Sequence, residues 1–367
     1  MRVGVVVEQL LAPVPGGTGR YAAEVAEALA ATAAPEDDVA GWTAWHRDPA
    51  AAAVPGVRGP RRLPLPRRPL VAAWERTALP RPRGIDLLHA PTLLAPLGGG
   101  PPVVVTVHDA VPWTHPETLT PRGAHWHRRM GERAARSAAA VVVPTEAVAR
   151  ALRGHLDLRC PVVVVGEGVS GRLAPPPDAA ERLAALGVAS GGYLMTTATL
   201  EPRKGLDVLV AALCEPGAPD LPLLVAGQPG WGGVDLAGMA AAAGLPAGRV
   251  RALGRIPDAD LAALLRGAAA VVVPSRAEGF GLPALEGMAA GVPVVTSDDP
   301  ALVEVGGGAT AVAPVGDAAA LAAALARVVG EEELRRDLVR RGLARAAEFS
   351  WTAAATRLWE LYRELGS

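Results

Sequence analysis

Cysteine is nearly absent from the 367-residue sequence: Cys160 and Cys214 are the only two, far apart and without metal-ligand spacing. That excludes a disulfide framework and a thiolate metal site, and it implies buried thiols in a reducing cytoplasm. An excess of one charge is missing too. A net charge of −1 gives no global pull toward nucleic acid, so only local patches remain. Half of the residues are apolar, but no apolar run reaches the ~20 residues of a membrane span. Met1 leads directly through Arg2 into Val3–Val7 and then Glu8, which is too short and too polar for a signal peptide. The expectation is a cytoplasmic protein, and its Ala- and Arg-rich composition suggests a GC-rich bacterial genome.

The length suggests two domains of roughly 150–200 residues. The 42 glycines and 35 prolines fall between hydrophobic runs as turn punctuation. Strand Val3–Val7 is followed by Gly16-Gly17-Thr18-Gly19 and a helix from Arg20 to Ala33, with Tyr21, Val25 and Leu29 on one face. A dinucleotide site fits Gly17-x-Gly19-x-x-Ala22 only loosely, because no acidic residue closes the second strand near Val39–Trp45. Residues 58–83 carry Arg58, Arg61, Arg62, Arg67, Arg68, Arg76, Arg81 and Arg83 among six prolines and read as a solvated loop. The sharper reading is a patch for an anionic acceptor or an anionic membrane surface, extended by Arg122 to Arg136 on a helix. Ile85–His89, Val103–Val107, Val141–Pro144 and Val162–Val165 read as buried parallel strands. His108 follows the second of them, in the place where open α/β sheets collect functional side chains. Prolines 175–177 read as the interdomain linker.

A second α/β series begins at Tyr193–Thr197, which runs into Glu201-Pro202-Arg203-Lys204-Gly205 and a helix. Strands follow at Leu221–Ala226 and Val250–Leu253, with Asp258 as the expected cap of helix 260–266. Helices are expected near 317–328, at 331–347 and at 351–365. Residues 271–295 read as strand, loop, helix and strand, with Glu278 in the loop, Glu286 in the helix, and Gly279, Phe280 and Gly281 between them. A loop feeding a helix N-terminus offers unpaired amides and the positive end of a dipole, which suits phosphate. The two carboxylates suit hydroxyls on either side of it, sugar on one and ribose on the other. Arg203 and Lys204 stand where a diphosphate would sit, although either one alone reads equally well as an ion pair with Glu201.

These residues resemble a family. Glu201-Pro-Arg-Lys-Gly, Leu253-Gly-Arg-Ile, Pro274-Ser-x-x-Glu278-Gly-Phe-Gly-Leu-Pro-x-x-Glu286 and Gly291-x-Pro-Val are similar to the GT-B retaining glycosyltransferases of family 4. Gly16-Gly17 and the His108-Asp109 segment look like its bacterial mannosyltransferase-like members. The resemblance implies two Rossmann-like parallel-sheet domains facing across a cleft: an acceptor domain at 1–170, a nucleotide-sugar donor domain at 171–349, and a helix at 350–367 returning to the first. It implies that Glu286 binds the ribose, Glu278 and His108 meet the donor sugar, and Arg203 and Lys204 neutralise the diphosphate. The backbone of Phe280, Gly281 and Leu282 would donate to that diphosphate, Gly16 and Gly17 would approach it closely, and Arg255 and Ile256 would meet the base. Many members carry Gly-Arg where this chain has Ala198-Thr199, so the cationic clamp rests on Arg203 and Lys204.

The implied activity is metal-independent transfer of a mannose- or glucose-type hexose, with no cofactor beyond a GDP- or UDP-type sugar donor. The acceptor would be a glycan, a lipid-linked compound or a small molecule, and nucleic acid is not an expected partner. Fixed cations and amides would stabilise the leaving diphosphate most in the transition state. Retention would follow from front-face attack in which the departing phosphate oxygen takes the acceptor proton; no side chain is named as a covalent nucleophile, and Glu278 is the one candidate for that role. The alternatives are a non-catalytic sugar-nucleotide-binding relative and a GT-B epimerase or phosphorylase. The location would be cytoplasmic, with peripheral contact at the inner membrane face through 58–83.

Overall fold

The computed structural model describes residues 1–366. The chain divides into two compact units: unit 1 is Met1–Pro116, Pro121–Gly168 and the chain from Ser350 onward, and unit 2 is Glu117–Thr120 with Val169–Phe349. Unit 1 runs β1 (Arg2–Val6), α1 (Gly16–Ala31), β2 (Asp38–Trp45), β3 (Arg58–Pro66), α2 (Arg67–Trp74), β4 (Leu87–Ala90), β5 (Val103–Thr106), α3 (Val111–Thr114), α4 (Pro121–Ser137), β6 (Ala140–Val143), α5 (Glu146–His155) and β7 (Val162–Val164). Unit 2 runs α6 (Ala179–Ala185), β8 (Leu194–Thr197), α7 (Leu206–Ala212), β9 (Leu223–Ala226), α8 (Leu236–Ala242), β10 (Val250–Gly254), α9 (Asp258–Gly267), β11 (Ala270–Val273), α10 (Leu282–Ala289), β12 (Val294–Ser297), α11 (Pro300–Gly306), β13 (Ala311–Ala313), α12 (Ala318–Gly330) and α13 (Glu332–Ala346). The last helix, α14 (Trp351–Gly366), belongs to unit 1.

Both sheets are parallel. Unit 1 orders its strands β3-β2-β1-β4-β5-β6-β7, and unit 2 orders its own β10-β9-β8-β11-β12-β13. Each order reverses after its first strand, so each sheet has a switch point at the carboxyl ends of β1 and β4, or of β8 and β11, where open α/β folds place ligands. The inner strands β5, β6 and β11 are short valine-rich runs because both faces are covered. Alternation within β5 shows it: Val103 and Val105 join Trp74, Met130 and Leu152 on one face, while Val104 joins Tyr21, Leu29 and Leu358 on the other.

Helix α14 is amphipathic at the helical period. Trp351, Ala354, Ala355, Leu358, Trp359, Leu361 and Tyr362 are all buried, packed in the same core cluster as Tyr21, Val25 and Leu29 of α1. Each large side chain buried in this way contributes roughly 1.5–3 kcal/mol before entropy is subtracted. The Trp359 indole donates to the Leu29 carbonyl at 3.1 Å.

Several expectations are corrected. Residues 58–83 are not a loop: β3 and α2 occupy Arg58–Trp74. Pro60, Pro64 and Pro66 are tolerated because β3 is an edge strand, where a missing N–H costs no ladder bond and blunts the edge. Helix α1 opens at Gly16, not Arg20. Asp258 is the first residue of α9, with Pro257 at the cap. Prolines 175–177 lie inside unit 2, whose chain has already packed Val169 and Leu173 against its core. Among the described residues β13, α3, α5, α6, α8 and α11 are also additional to the elements read from sequence.

Candidate active site

In unit 2 the site is built at the switch point. After β8 the chain makes a turn over Pro202–Lys204 and ends it on Gly205, whose φ of +64° suits glycine. A Cβ there would lie 2.1 Å from the Pro274 carbonyl, so only glycine lets this turn rest on the end of β11. The Arg276 amide donates to the Arg203 carbonyl at 2.8 Å, and the Arg276 guanidinium makes a two-pronged bond to Asp207 at 2.7 and 2.5 Å. These contacts lock the two loops together.

Glu278 is their shared charge. Its carboxylate accepts from Lys204 Nζ at 2.7 Å, from Ser275 Oγ at 2.6 Å and from Arg203 Nη1 at 3.0 Å. Burial raises its pKa, yet the Lys204 and Arg203 charges outweigh burial and hold it down at about 2. Arg203 reaches Glu201 with Nη2 at 2.7 Å, and the Trp231 indole donates to the other oxygen of Glu201 at 3.0 Å. The anticipated Glu201 pair and the clustering of Arg203 with Lys204 therefore coexist.

The following loop is positioned from below. Phe280 is buried, its ring edge-on to Phe349 at 5.5 Å. Gly281 has φ of +89°, and a Cβ there would meet Leu302 at 2.3 Å, so glycine alone opens α10. The amides of Phe280, Gly281 and Leu282 make no hydrogen bond among the described residues and stand at the positive end of that helix. Glu286 lies buried in its second turn. Asp299 caps α11 by accepting from the Ala301 and Leu302 amides at 3.0 and 3.2 Å, and its carboxylate also bonds the backbone of Glu278. Burial, followed by the Glu278 charge, raises its pKa to about 6. Arg255 is exposed and Ile256 half-buried after the left-handed Gly254, at the carboxyl end of β10; no bond joins them to the Glu278 cluster.

In unit 1, His108 lies just beyond the end of β5. Its Nε2 is 2.8 Å from the Pro91 carbonyl, its Nδ1 is 3.7 Å from a Glu167 oxygen, and its ring meets the Tyr21 ring edge-on at 4.6 Å. The residue is thus held by protein groups on several sides. Gly16 adopts φ of +61° at the first turn of α1, while Gly17 is exposed with open space where a Cβ would project. Neither glycine is bonded to His108.

Ser275, Trp231, Asp299 and Glu167 were not singled out by sequence. One available signal was overlooked: Lys204 is the single lysine among thirty-six basic residues. In a chain that otherwise uses arginine, a compact ammonium retained at one position marks a place where a planar fork does not serve.

Comparison with known proteins places the chain. Residues 15–170 match the family model Glycosyltransferase Family 4, and residues 191–345 match Glycosyl transferases group 1. The O-antigen chain mannosyltransferase B of Escherichia coli is 38% identical over 177 residues, 47% of this chain and 46% of that protein. A phosphatidyl-myo-inositol mannosyltransferase of Mycolicibacterium smegmatis is 36% identical over 167 residues, 44% and 42% of the two chains. The chain thus spans about half the length of the curated relatives it matches. Sucrose-phosphate synthase from Thermosynechococcus elongatus superposes with a TM-score of 0.81 at 24% identity, covering 100% of this chain and 99% of that one. Anabaena HepE, solved in complex with UDP-glucose, superposes with 0.76 at 21% identity, covering 99% and 100%. The chain thus carries a Family 4 glycosyltransferase domain followed by a group 1 glycosyltransferase domain, each on its own Rossmann-like parallel sheet, in the GT-B fold.

Proposed function

We propose that the chain is a retaining hexosyltransferase that moves a mannose- or glucose-type sugar from a GDP- or UDP-type donor to a glycan, lipid-linked or small-molecule acceptor. The observation that carries this reading is the Lys204–Glu278–Arg203 cluster beside the amides of Phe280, Gly281 and Leu282. As the glycosidic bond breaks, the leaving diphosphate gains negative charge. Two fixed cations and a set of preoriented amides answer that charge with no reorganisation, and one well-placed donor of this kind contributes roughly 3–4 kcal/mol. The same donor set supports metal-independent transfer, which activity retained in excess chelator would confirm.

Glu278 is ionised at any working pH, so it is not the general acid. It can accept from a donor-sugar hydroxyl or attack as a nucleophile, and the acceptor proton goes to the departing phosphate oxygen. Glu286 is assigned to the ribose, Arg255 and Ile256 to the base, Gly16 and Gly17 to the phosphate, and His108 to the sugar. The names of the mannosyltransferase relatives support a mannosyl donor and a glycan or lipid-linked acceptor.

The test is ligand-induced stabilisation with GDP, UDP, ADP and dTDP, since a nucleotide bound at a hundred times its Kd stabilises by about 2.7 kcal/mol. One of the first two should raise the melting temperature of wild type, less so of Glu286→Ala. Lys204→Ala should fold and lose transfer by about a hundredfold or more. Equal stabilisation of Glu286→Ala, or wild-type turnover by Lys204→Ala, would reject the assigned roles.

Contact with an anionic membrane is proposed through β3, where Arg61 and Arg62 are exposed while Arg58 is paired with Asp38. No helix among the described residues is long and apolar enough to cross a membrane. Sedimentation with phosphatidylglycerol vesicles should fall when Arg61 and Arg62 become Ser; unchanged sedimentation would remove the patch.

A further inference from the structure

The His108 ring carries information about its own charge. A carbonyl oxygen only accepts, so Nε2, 2.8 Å from the Pro91 carbonyl, must bear a hydrogen. The other nitrogen, Nδ1, faces the Glu167 carboxylate at 3.7 Å, and a carboxylate also only accepts. A neutral ring with its proton on Nε2 would turn a lone pair toward that carboxylate, whereas an imidazolium presents hydrogen to both neighbours. The carboxylate is buried, and His108 is its one ion-pair partner among the described residues.

The remaining neighbours agree. From α1, the Tyr21 ring stands nearly perpendicular to the His108 ring at 4.6 Å and brings no charge, with its hydroxyl bonded to Thr106 Oγ1 at 3.1 Å. From β4, His89 is wholly buried and bonded on both nitrogens, to Thr106 and Tyr362, and burial with the nearby His108 charge pushes its pKa down to about 3, so it adds no competing charge. Asp109, next in sequence, acts in the same direction as Glu167. Burial lowers the His108 pKa, but Glu167, the Pro91 carbonyl and Asp109 more than reverse that, and the net direction is upward. Glu167 is fixed in place by its own segment: a Cβ on Gly168 would lie 2.4 Å from the Trp351 amide nitrogen, so the chain there is pressed onto the start of α14.

We propose that Glu167 is a positioning residue that holds His108 doubly protonated, so that the histidine brings a positive charge to the reaction and not a neutral hydrogen-bond donor. Its catalytic meaning rests on the proposed sugar-nucleotide transfer; its chemistry does not. Transfer then declines as pH rises through the His108 midpoint.

The experiment is a ring nitrogen NMR titration of the full chain labelled at histidine, with the His108 signal identified by its loss in His108→Gln. In wild type the His108 signal should remain cationic above about pH 7, where an ordinary histidine is neutral. In Glu167→Gln its midpoint should fall by roughly one pH unit or more. The alkaline limb of kcat/KM for transfer should move down with it, and Glu167→Gln in the His108→Gln background should leave the pH profile unchanged. A wild-type His108 that is neutral above about pH 7, or a midpoint unmoved in Glu167→Gln, overturns the proposal. If Glu167→Gln does not fold, the wild-type titration decides. Failure of transfer with the titration as expected would count against the transferase reading and leave the ion pair standing.

Discussion

Asp299 accepts hydrogen bonds that favour its charge, yet its burial and the Glu278 charge push the other way and win, leaving its pKa near 6. Between the ordinary aspartate value and about 6, the folded chain therefore binds more protons at this site than the unfolded chain, so stability falls as pH rises through that window and is level above it. Asp299→Asn keeps an oxygen for the Ala301 and Leu302 amides and removes the charge. Relative to wild type, the variant should gain up to roughly 2–3 kcal/mol on going from about pH 4 to about pH 7, read by urea unfolding at both. An unchanged difference would show that Asp299 titrates normally. Glu278 has the opposite sign: its contribution is present above the ordinary glutamate value and is lost only as pH falls toward about 2. Arg203 with Lys204, and Glu278 with Glu286, stand out in sequence as two motifs that are each local, although 74 positions separate Lys204 from Glu278. Ser275 and Trp231 do not, because a serine or a tryptophan has no meaning until Glu278 or, thirty positions away, Glu201 is placed beside it.

At the scale of elements, α14 is tied to its sheet by a polar chain as well as by apolar packing. Tyr362 Oη lies 2.5 Å from His89 Nδ1, His89 Nε2 lies 2.8 Å from Thr106 Oγ1, and Thr106 meets Tyr21 of α1. Tyr362→Phe removes one hydroxyl and strands a buried ring nitrogen, which should cost about 1–3 kcal/mol. Denaturant unfolding followed by fluorescence would measure it, and a loss below about 0.5 kcal/mol would mean that the network is replaced by water. Amphipathic helices such as α1 and α14, and β-branched strands such as β5, were legible because period and burial coincide. Strand β3 was not, because its prolines and arginines describe an edge that is mostly solvated, and that composition is shared with loops.

Across the whole molecule, the repeated strand order in two units accounts for why one sequence holds two unrelated glycine-rich turns, one opening α1 and one opening α10. The count of strands could be approximated from sequence; the order could not, since parallel pairing joins residues many positions apart and leaves no local mark. The arginine preference that runs through the chain has its single exception at Lys204, whose side chain is mostly buried against Glu278. That exception makes the protein unusually simple to label. Reductive methylation with carbon-13 formaldehyde would modify a single ε-amine besides the α-amine of Met1, placing an isotopic reporter on the ammonium paired with Glu278. Its chemical shift would follow that pair directly while donors, acceptors and pH are varied.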